Sequence, residues 1–316
     1  MTKRLLIVAV AVAFVPSVVS AAVLFSDDMT NATAWGMNAS SADTAATFNY
    51  NYAADGIPEA PHPIMGGAAT RGVKLEANII DPAAGEKFTL YPLGQNFTGN
   101  HQLRFDAWMN FDADTRATTG AGTTEFLGGG VGYDNVTVDV ASGAQTIATG
   151  EGGSASDWRA FKSPPQFFVA SADMNGGTRQ GSSPYYANFL PSVAPPPDQG
   201  QAASGVAGSP GFQWITWVFT AINQGGLNKV RVSIEKPDGS SLSIVKMNCN
   251  FTGDGSNGCT SEGNISLFYA DFFSSVSSRP DLTFGVIDNV IVTDVPEPAS
   301  LSLLALGGLA ILRRRR

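Results

Sequence analysis

The amino-acid sequence predicts an all-β protein, an antiparallel β-sandwich, and three observations carry that prediction. Apolar residues alternate with small polar ones in short runs bounded by Gly, Pro, Asn or Asp, the signature of half-buried strands. Charged residues make up only 15% of the chain while Gly reaches 35 and Pro 18, a mix that suits turns and pleated strands rather than charged amphipathic helices. Between the two ends of the chain no long apolar pattern of helical period is found.

The chain opens with Met1, Thr2, Lys3 and Arg4, then an unbroken apolar run from Leu5 to Val15, then Pro16, Ser17 and small residues up to Ala21 and Ala22. A basic start, an apolar segment and a small-residue cleavage region in this order predict a helical signal peptide over residues 1–21. The run of 11 apolar residues falls short of the roughly 20 that span a bilayer, so cleavage rather than retention is expected.

Residues 22–294 form the predicted sandwich domain. Its clearest strand runs are 72–80, 101–111, 135–140, 214–221, 229–236, 241–247, 265–273 and 282–292. The stretch 265–276 also suits a helix. Lys236, Pro237, Asp238, Gly239 and Ser240 separate two of these runs and predict a hairpin turn, because Pro presets φ and Gly supplies a positive φ. Over about 141–211 the alternation dissolves into Gly-, Ser- and Pro-rich sequence, which reads as a long insertion or an interdomain linker. Its aromatics, among them Trp158, Phe161, Phe167, Phe168, Tyr185 and Tyr186, favour an insertion packed on the sandwich, since a free linker is poor in such residues.

The formal net charge is −8. Removing residues 1–21 and 299–316 takes away six basic residues and no acids, so 13 basic residues face 27 acidic ones and the net charge approaches −14. A surface this acidic excludes nucleic acid as a partner, because phosphates demand basic patches. It is compatible with divalent cations or simply with solubility. Cys249 and Cys259 are the two cysteines, and export to an oxidising compartment predicts that they form a disulfide. Two cysteines and two distant histidines do not make a zinc site.

At the C-terminal end the chain reads Val295, Pro296, Glu297, Pro298, Ala299, Ser300, then an apolar stretch from Leu301 to Leu312, then Arg313, Arg314, Arg315 and Arg316. This closely resembles the PEP-CTERM sorting tail, with its Pro-Glu-Pro triplet, short hydrophobic helix and terminal basic cluster over residues 295–316. The 12-residue apolar stretch makes roughly 18 Å of helix against a hydrocarbon core of roughly 30 Å. It dwells in the inner membrane but spans it poorly, with the arginines held on the cytoplasmic side. The resemblance implies passage through the secretion translocon, trimming by signal peptidase and recognition by an exosortase-type membrane enzyme. Cleavage near Pro296 to Pro298 would then deliver the protein to the cell surface or extracellular matrix of a Gram-negative, polysaccharide-producing bacterium. The tail acts as a removable address.

Phe25, Ser26, Asp27 and Asp28 near the start, and the run Phe284, Gly285, Val286, Ile287, Asp288, Asn289, Val290, Ile291, Val292 near the end, resemble the first and last strands of carbohydrate-binding-module, laminin-G or concanavalin-like jelly rolls. In many such domains these strands run side by side and carboxylates at their ends bind a structural calcium. The resemblance thus implies a jelly-roll topology and a calcium site at Asp27, Asp28 and Asp288, hard oxygen ligands of the kind calcium takes. The alternative is that these acids cap turns and face water.

Sugar-binding sandwiches stack pyranose rings on exposed aromatics. Trp108 and Trp158 are the expected ligand platforms; Trp108 lies on the strand face opposite Leu103, Phe105, Ala107, Met109 and Phe111. Trp214 and Trp217 are three apart, which puts them on opposite faces of a strand. The contiguous Glu-x-Asp-x-x-Glu strand motif of laminarinase-like hydrolases is absent, as is a Gly-x-Ser-x-Gly elbow, and Gly128, Gly129, Gly130 and Gly132 are not followed by the Lys-Ser or Lys-Thr of a phosphate loop. The expectation is an exported, exosortase-sorted surface or matrix protein that binds polysaccharide without catalysis. A purely structural surface protein is the alternative, and a polysaccharide hydrolase or lyase the third reading. If the tail is an exosortase address, replacing Pro296, Glu297 and Pro298 by alanine leaves the protein uncleaved in the inner membrane; normal processing of that variant, seen by fractionation and immunoblotting, would count against it.

Overall fold

The computed structural model describes residues 21–80, 85–119, 124–164, 166–224, 226–250, 258–272 and 279–296. The expected signal helix and the sorting tail beyond Pro296 lie outside these residues. In chain order the elements are β1 (Val23–Asp27), β2 (Trp35–Ala39), β3 (Thr44–Asn51), β4 (Arg71–Ala77), β5 (Glu86–Pro92), β6 (His101–Asn110), α1 (Ala113–Thr119), β7 (Glu125–Tyr133), β8 (Ala144–Thr149) and β9 (Trp158–Lys162). They continue with β10 (Phe167–Phe168), α2 (Pro184–Ala187), β11 (Ile215–Gln224), β12 (Leu227–Glu235), β13 (Ser241–Asn248), β14 (Asn264–Asp271) and β15 (Phe284–Asp294).

Two antiparallel sheets form a sandwich. One runs β13-β12-β11-β6-β15-β4-β3, with β1 also paired to β15; the other runs β10-β9-β8-β7-β14-β5-β2. The odd-numbered residues of β6, Leu103, Phe105, Ala107 and Met109, enter the core between the sheets, where they meet Leu127 and Val131 of β7 and Leu267 and Tyr269 of β14. Rings knit the layers together. Trp158 of β9 stacks on Tyr186 of α2 at 5.1 Å and meets Trp217 of β11 at 5.8 Å. Trp217 stacks on Phe219, and Phe219 on Phe105 of β6. Gly129 lies opposite: a Cβ there would come within 3.1 Å of the Phe105 ring and 2.4 Å of the Ser266 carbonyl oxygen. The glycine row of β7 is therefore a seat for a facing ring and a close strand neighbour.

Both sheets are covered on their outer faces as well. Trp108, Trp214, Tyr52, Phe212, Phe284 and Val286 form a second apolar cluster outside the first sheet. Phe126, Ile147, Phe268 and Val140 form a third outside the other. Trp217 sits in the main core and Trp214 in the second cluster, on the opposite faces that their spacing demands.

This double coverage explains where the structure departs from the sequence reading. The stretch 141–211 contains β8, β9 and β10, which extend the second sheet. Every residue of β8 is buried, because Ala144 and Ala148 face the core and Ile147 the outer cluster. A strand wrapped on both faces shows no alternation. The expected strand at 135–140 is instead a turn region: the Asp134 carboxylate accepts from the Val136 and Thr137 amides and the Thr137 hydroxyl, and Asn135 has φ 68°. The stretch that also suited a helix contains strand β14. Between β12 and β13 the hairpin closes as its residues dictate, with Gly239 at φ 81° and the Lys236 amide donating to the Ser240 carbonyl. Residues 23–295 form one compact unit.

Cys249, just past β13, is bonded to Cys259, and both are buried against the main core. A cross-link spanning a sequence separation of 10 restricts the unfolded chain by about 2–3 kcal/mol. Replacing both cysteines by alanine should lower the unfolding free energy by that amount in a urea titration; an unchanged midpoint would show that the bond does not constrain the chain.

Candidate functional site

Residues 58–64 read Pro-Glu-Ala-Pro-His-Pro-Ile. Three prolines fix φ and remove amide donors, so the segment cannot join a sheet ladder and lies as an extended strap. Side chains from the first sheet and from Tyr52 hold it at every second residue. The Trp214 indole N–H donates to the Pro58 carbonyl at 2.7 Å and the Ala60 amide donates to the Tyr52 hydroxyl at 3.3 Å. The His62 amide donates to Asp106 Oδ2 and the Ile64 amide to Asn289 Oδ1, each at 3.0 Å. The strap thereby presents the His62 imidazole in a fixed place.

Beneath it, β15 carries a bulge. Its register against β6 slips between Asp288 and Ile291, and Asn289 adopts φ 54°. At the same point the far edge of β15 passes from β4, paired at Gly285 to Ile287, to β1, paired at Val290 to Thr293. The bulge turns the Asn289 amide towards Asp106, to whose Oδ2 its Nδ2 donates at 3.1 Å. Asp106 lies directly opposite Asp288 across the strand pair. The Asp106 side chain is wholly buried, and it is satisfied by two further donors: the Thr216 hydroxyl at 2.6 Å and His62 Nδ1 at 2.9 Å, both on Oδ1. Asp288 accepts from the Tyr52 hydroxyl at 2.9 Å and from the Asn289 amide at 2.7 Å. Burial pushes the Asp288 carboxyl up to about 7, and the neighbouring Asp106 and Asp28 charges add to the rise.

A cleft of about 500 Å³ opens above this network. His62, Arg104 and Thr216 give it polar lining, and Val23, Ile64 and Ile291 an apolar wall. The His62 side chain is 40% exposed. Its hydrogen bond to the Asp106 carboxylate holds its pKa above the ordinary histidine value. Nδ1 is committed to Asp106 and Thr216, which leaves the Nε2 edge without a hydrogen-bond partner among the described residues. This is not a nucleophile-activating arrangement. In a hydrolase triad the hydroxyl sits on the ring nitrogen opposite the acid, whereas Thr216 shares Nδ1 with Asp106. The array can instead position a ligand by hydrogen bonds from a rigid floor.

The structure relocates the expected site residues. β1 and β15 do pair side by side. Asp27 nevertheless caps the Met29 amide, Asp28 caps Thr30 and receives the Ala68 amide, and Asp288 faces Tyr52. Among the described residues no three His, Cys, Asp or Glu side chains are grouped to hold a metal ion. Each of the three expected calcium ligands, Asp27, Asp28 and Asp288, thus accepts hydrogen bonds from protein donors, and the Asp28 charge acts on both Asp27 and Asp288. Trp158 has no exposed surface and Trp108 only 4%, so neither offers a ring face to a sugar; Trp158 donates its indole N–H to the Gly208 carbonyl at 3.0 Å inside the core. The residues that do line the cleft, His62, Asp106, Thr216 and Asn289, were not singled out by sequence. Two signals pointed there: a histidine locked between Pro61 and Pro63, and an Asp in mid-strand between Phe105 and Ala107.

A second group of buried acids lies at one end of the core, where Glu86, Asp271 and Glu125 stand opposite one another on β5, β14 and β7. Burial pushes Glu125 well up, with Glu151 and Asp271 adding repulsion.

A carboxyl raised in the folded state keeps a proton that the unfolded chain has released, so stability falls as pH rises from the ordinary Asp value of 3.8 towards about 7 for Asp288. Asp288→Asn removes that titration while retaining the side chain's shape, and the plot of thermal midpoint against pH should flatten across this window. An unaltered slope would mean that Asp288 is ionised throughout.

Comparison with known proteins places one segment. Residues 294–316 match the family described as the PEP-CTERM protein-sorting motif. No curated protein matches the whole chain at a significant level. Among solved structures the chain is similar to the VIP36 exoplasmic/lumenal domain in its Ca²⁺/Man3GlcNAc-bound form, with 6% identity and a TM-score of 0.39 over 85% of this chain and 87% of that one. It is also similar to arcelin-5, a lectin-like defense protein from Phaseolus vulgaris, with 4% identity and a TM-score of 0.35 over 84% and 100%. A glycosyl hydrolase family protein from Mycobacterium fortuitum shows 10% identity and a TM-score of 0.39 over 86% and 99%. Among the described residues no helix is long and apolar enough to cross a membrane. The chain ends in a PEP-CTERM sorting motif, which marks it for export and sorting to the cell surface.

Proposed function

We propose that this protein is a non-enzymatic polysaccharide-binding component of the cell surface or extracellular matrix, that exosortase processing releases it there, and that the cleft under the 58–64 strap takes the glycan. The observation that supports this reading is the pairing of a rigid polar floor with an apolar wall. A pyranose presents hydroxyls around its rim and C–H groups on its faces, so it needs both kinds of surface at once. Asp106, buried and fully bonded, orients His62, Thr216 and Asn289 without being able to leave, which limits the entropy a ligand must remove on binding.

Ser26 lines the cleft from β1 and is exposed, outside the buried network. Ser26→Trp should fill the cleft and weaken retention on immobilised surface polysaccharide at least tenfold while leaving the thermal midpoint in place. Equal retention by the variant removes the cleft from consideration. Reducing ends accumulating during the incubation would favour a hydrolase instead.

A further inference from the structure

We infer that the cleft selects an acidic glycan, one whose sugar carries a carboxylate, and that this carboxylate sits between His62 and Arg104. The inference rests on the glycan-binding reading of the same cleft and adds the chemical class of the ligand.

The charged groups within reach of a ligand there are cationic. His62 and Arg104 both line the cleft with partly exposed side chains, 40% and 26% respectively. The acids that balance them are engaged by them: Asp106 with His62 and Glu235 with Arg104. Asp106 lines the same cleft but its side chain has no exposed surface, lying beneath the imidazole. Glu235 of β12, across from Thr216 in the register, holds Arg104 through two bonds of 3.1 and 2.6 Å and is not among the cleft's lining residues. That pairing engages two of the five guanidinium N–H donors and leaves the rest for a further acceptor. Such buried or half-buried acids fix the orientation of their cations, so a ligand carboxylate meets preset donors and gains charge-assisted hydrogen bonds from each. A neutral sugar forms only ordinary ones.

The other titratable groups around His62 are consistent with this. Arg104 lowers its tendency to hold a proton and Glu235 raises it, while its hydrogen bond to Asp106 is the largest influence and favours the imidazolium. Asp288 and Asp28 lie on the β15 and β1 side, and Glu59 on the strap itself. The acidic body of the protein repels a polyanion at long range. Salt screens that repulsion, so selectivity would arise from the contacts in the cleft rather than from steering.

The pH dependence has a definite sign. A sugar carboxylate is ionised above about pH 4, like other carboxylic acids. His62 loses its charge as pH rises through its elevated pKa. Binding of an acidic glycan should therefore be tightest in the mildly acidic range and weaken towards alkaline pH.

The test is titration calorimetry of the processed protein with trigalacturonate and with maltotriose, at pH 5.5 and pH 8.5. Trigalacturonate should bind on the order of tenfold more tightly at the lower pH, the change supplied by one charge-assisted hydrogen bond. Maltotriose should show no such change, and His62→Gln should remove most of the difference, leaving the part that ionisation of Asp288 near pH 7 contributes. Proton NMR of the His62 ring in the unaltered protein gives an independent reading: trigalacturonate should raise its pKa further. Equal, pH-independent binding of both sugars overturns the acidic-glycan inference and leaves the glycan-binding reading standing. No binding of either sugar at either pH overturns both.

Discussion

A carboxylate with no access to water must be given donors by the protein, and Asp106 obtains four: the His62 ring and amide, the Thr216 hydroxyl and the Asn289 amide group. These come from β11, from β15 and from the strap, while Asp106 itself belongs to β6. One buried acid thus couples the centre of the first sheet to the segment laid over it. Removing any donor would leave part of a buried charge unsatisfied, which is far costlier than the net worth of an ordinary hydrogen bond. The bulge at Asn289 follows from the same demand, because a regular strand would not turn that amide group towards the carboxylate. The shape of the cleft above is a by-product of satisfying Asp106.

The surrounding scaffold supplies rigidity. Ring contacts from Tyr186 through Trp158 and Trp217 to Phe219 and Phe105 tie both sheets into one interior. Outside the first sheet, Trp108, Trp214 and Tyr52 fill the space under the strap, and two of them also hydrogen-bond to it. The aromatics that a sugar-binding reading would place on the surface are therefore spent on packing. Trp214 and Tyr52 hold the strap, and the strap holds His62.

Some of the structure was legible one residue at a time. The Pro237-Asp238-Gly239 turn needs no distant partner, because its conformation is set by Pro and Gly. Alternation in 229–236 and 241–247 likewise shows in the sequence, because β12 and the edge strand β13 keep one face wet. It vanishes in β7 and β8, which are buried on both faces, and so the second sheet's extension through 144–162 was hidden under Gly and Ala. At 135–140 the apolar alternation was real but the Asp134 side chain outcompeted the ladder for its amides.

By itself the sequence determined the address and the local elements. The Pro-Glu-Pro triplet, the apolar stretch and the terminal arginines are contiguous, and an enzyme that reads a segment needs nothing beyond it. The pairing of Cys249 with Cys259 is nearly as local, since only two cysteines exist. The cleft belongs to the tertiary structure alone. His62 is 44 positions from Asp106, Thr216 is 110 and Asn289 is 183, and no periodicity connects them. Their meeting is decided by which strands become neighbours, and strand order is set by burial summed over the whole chain, which a pattern read along a window of ten residues does not contain.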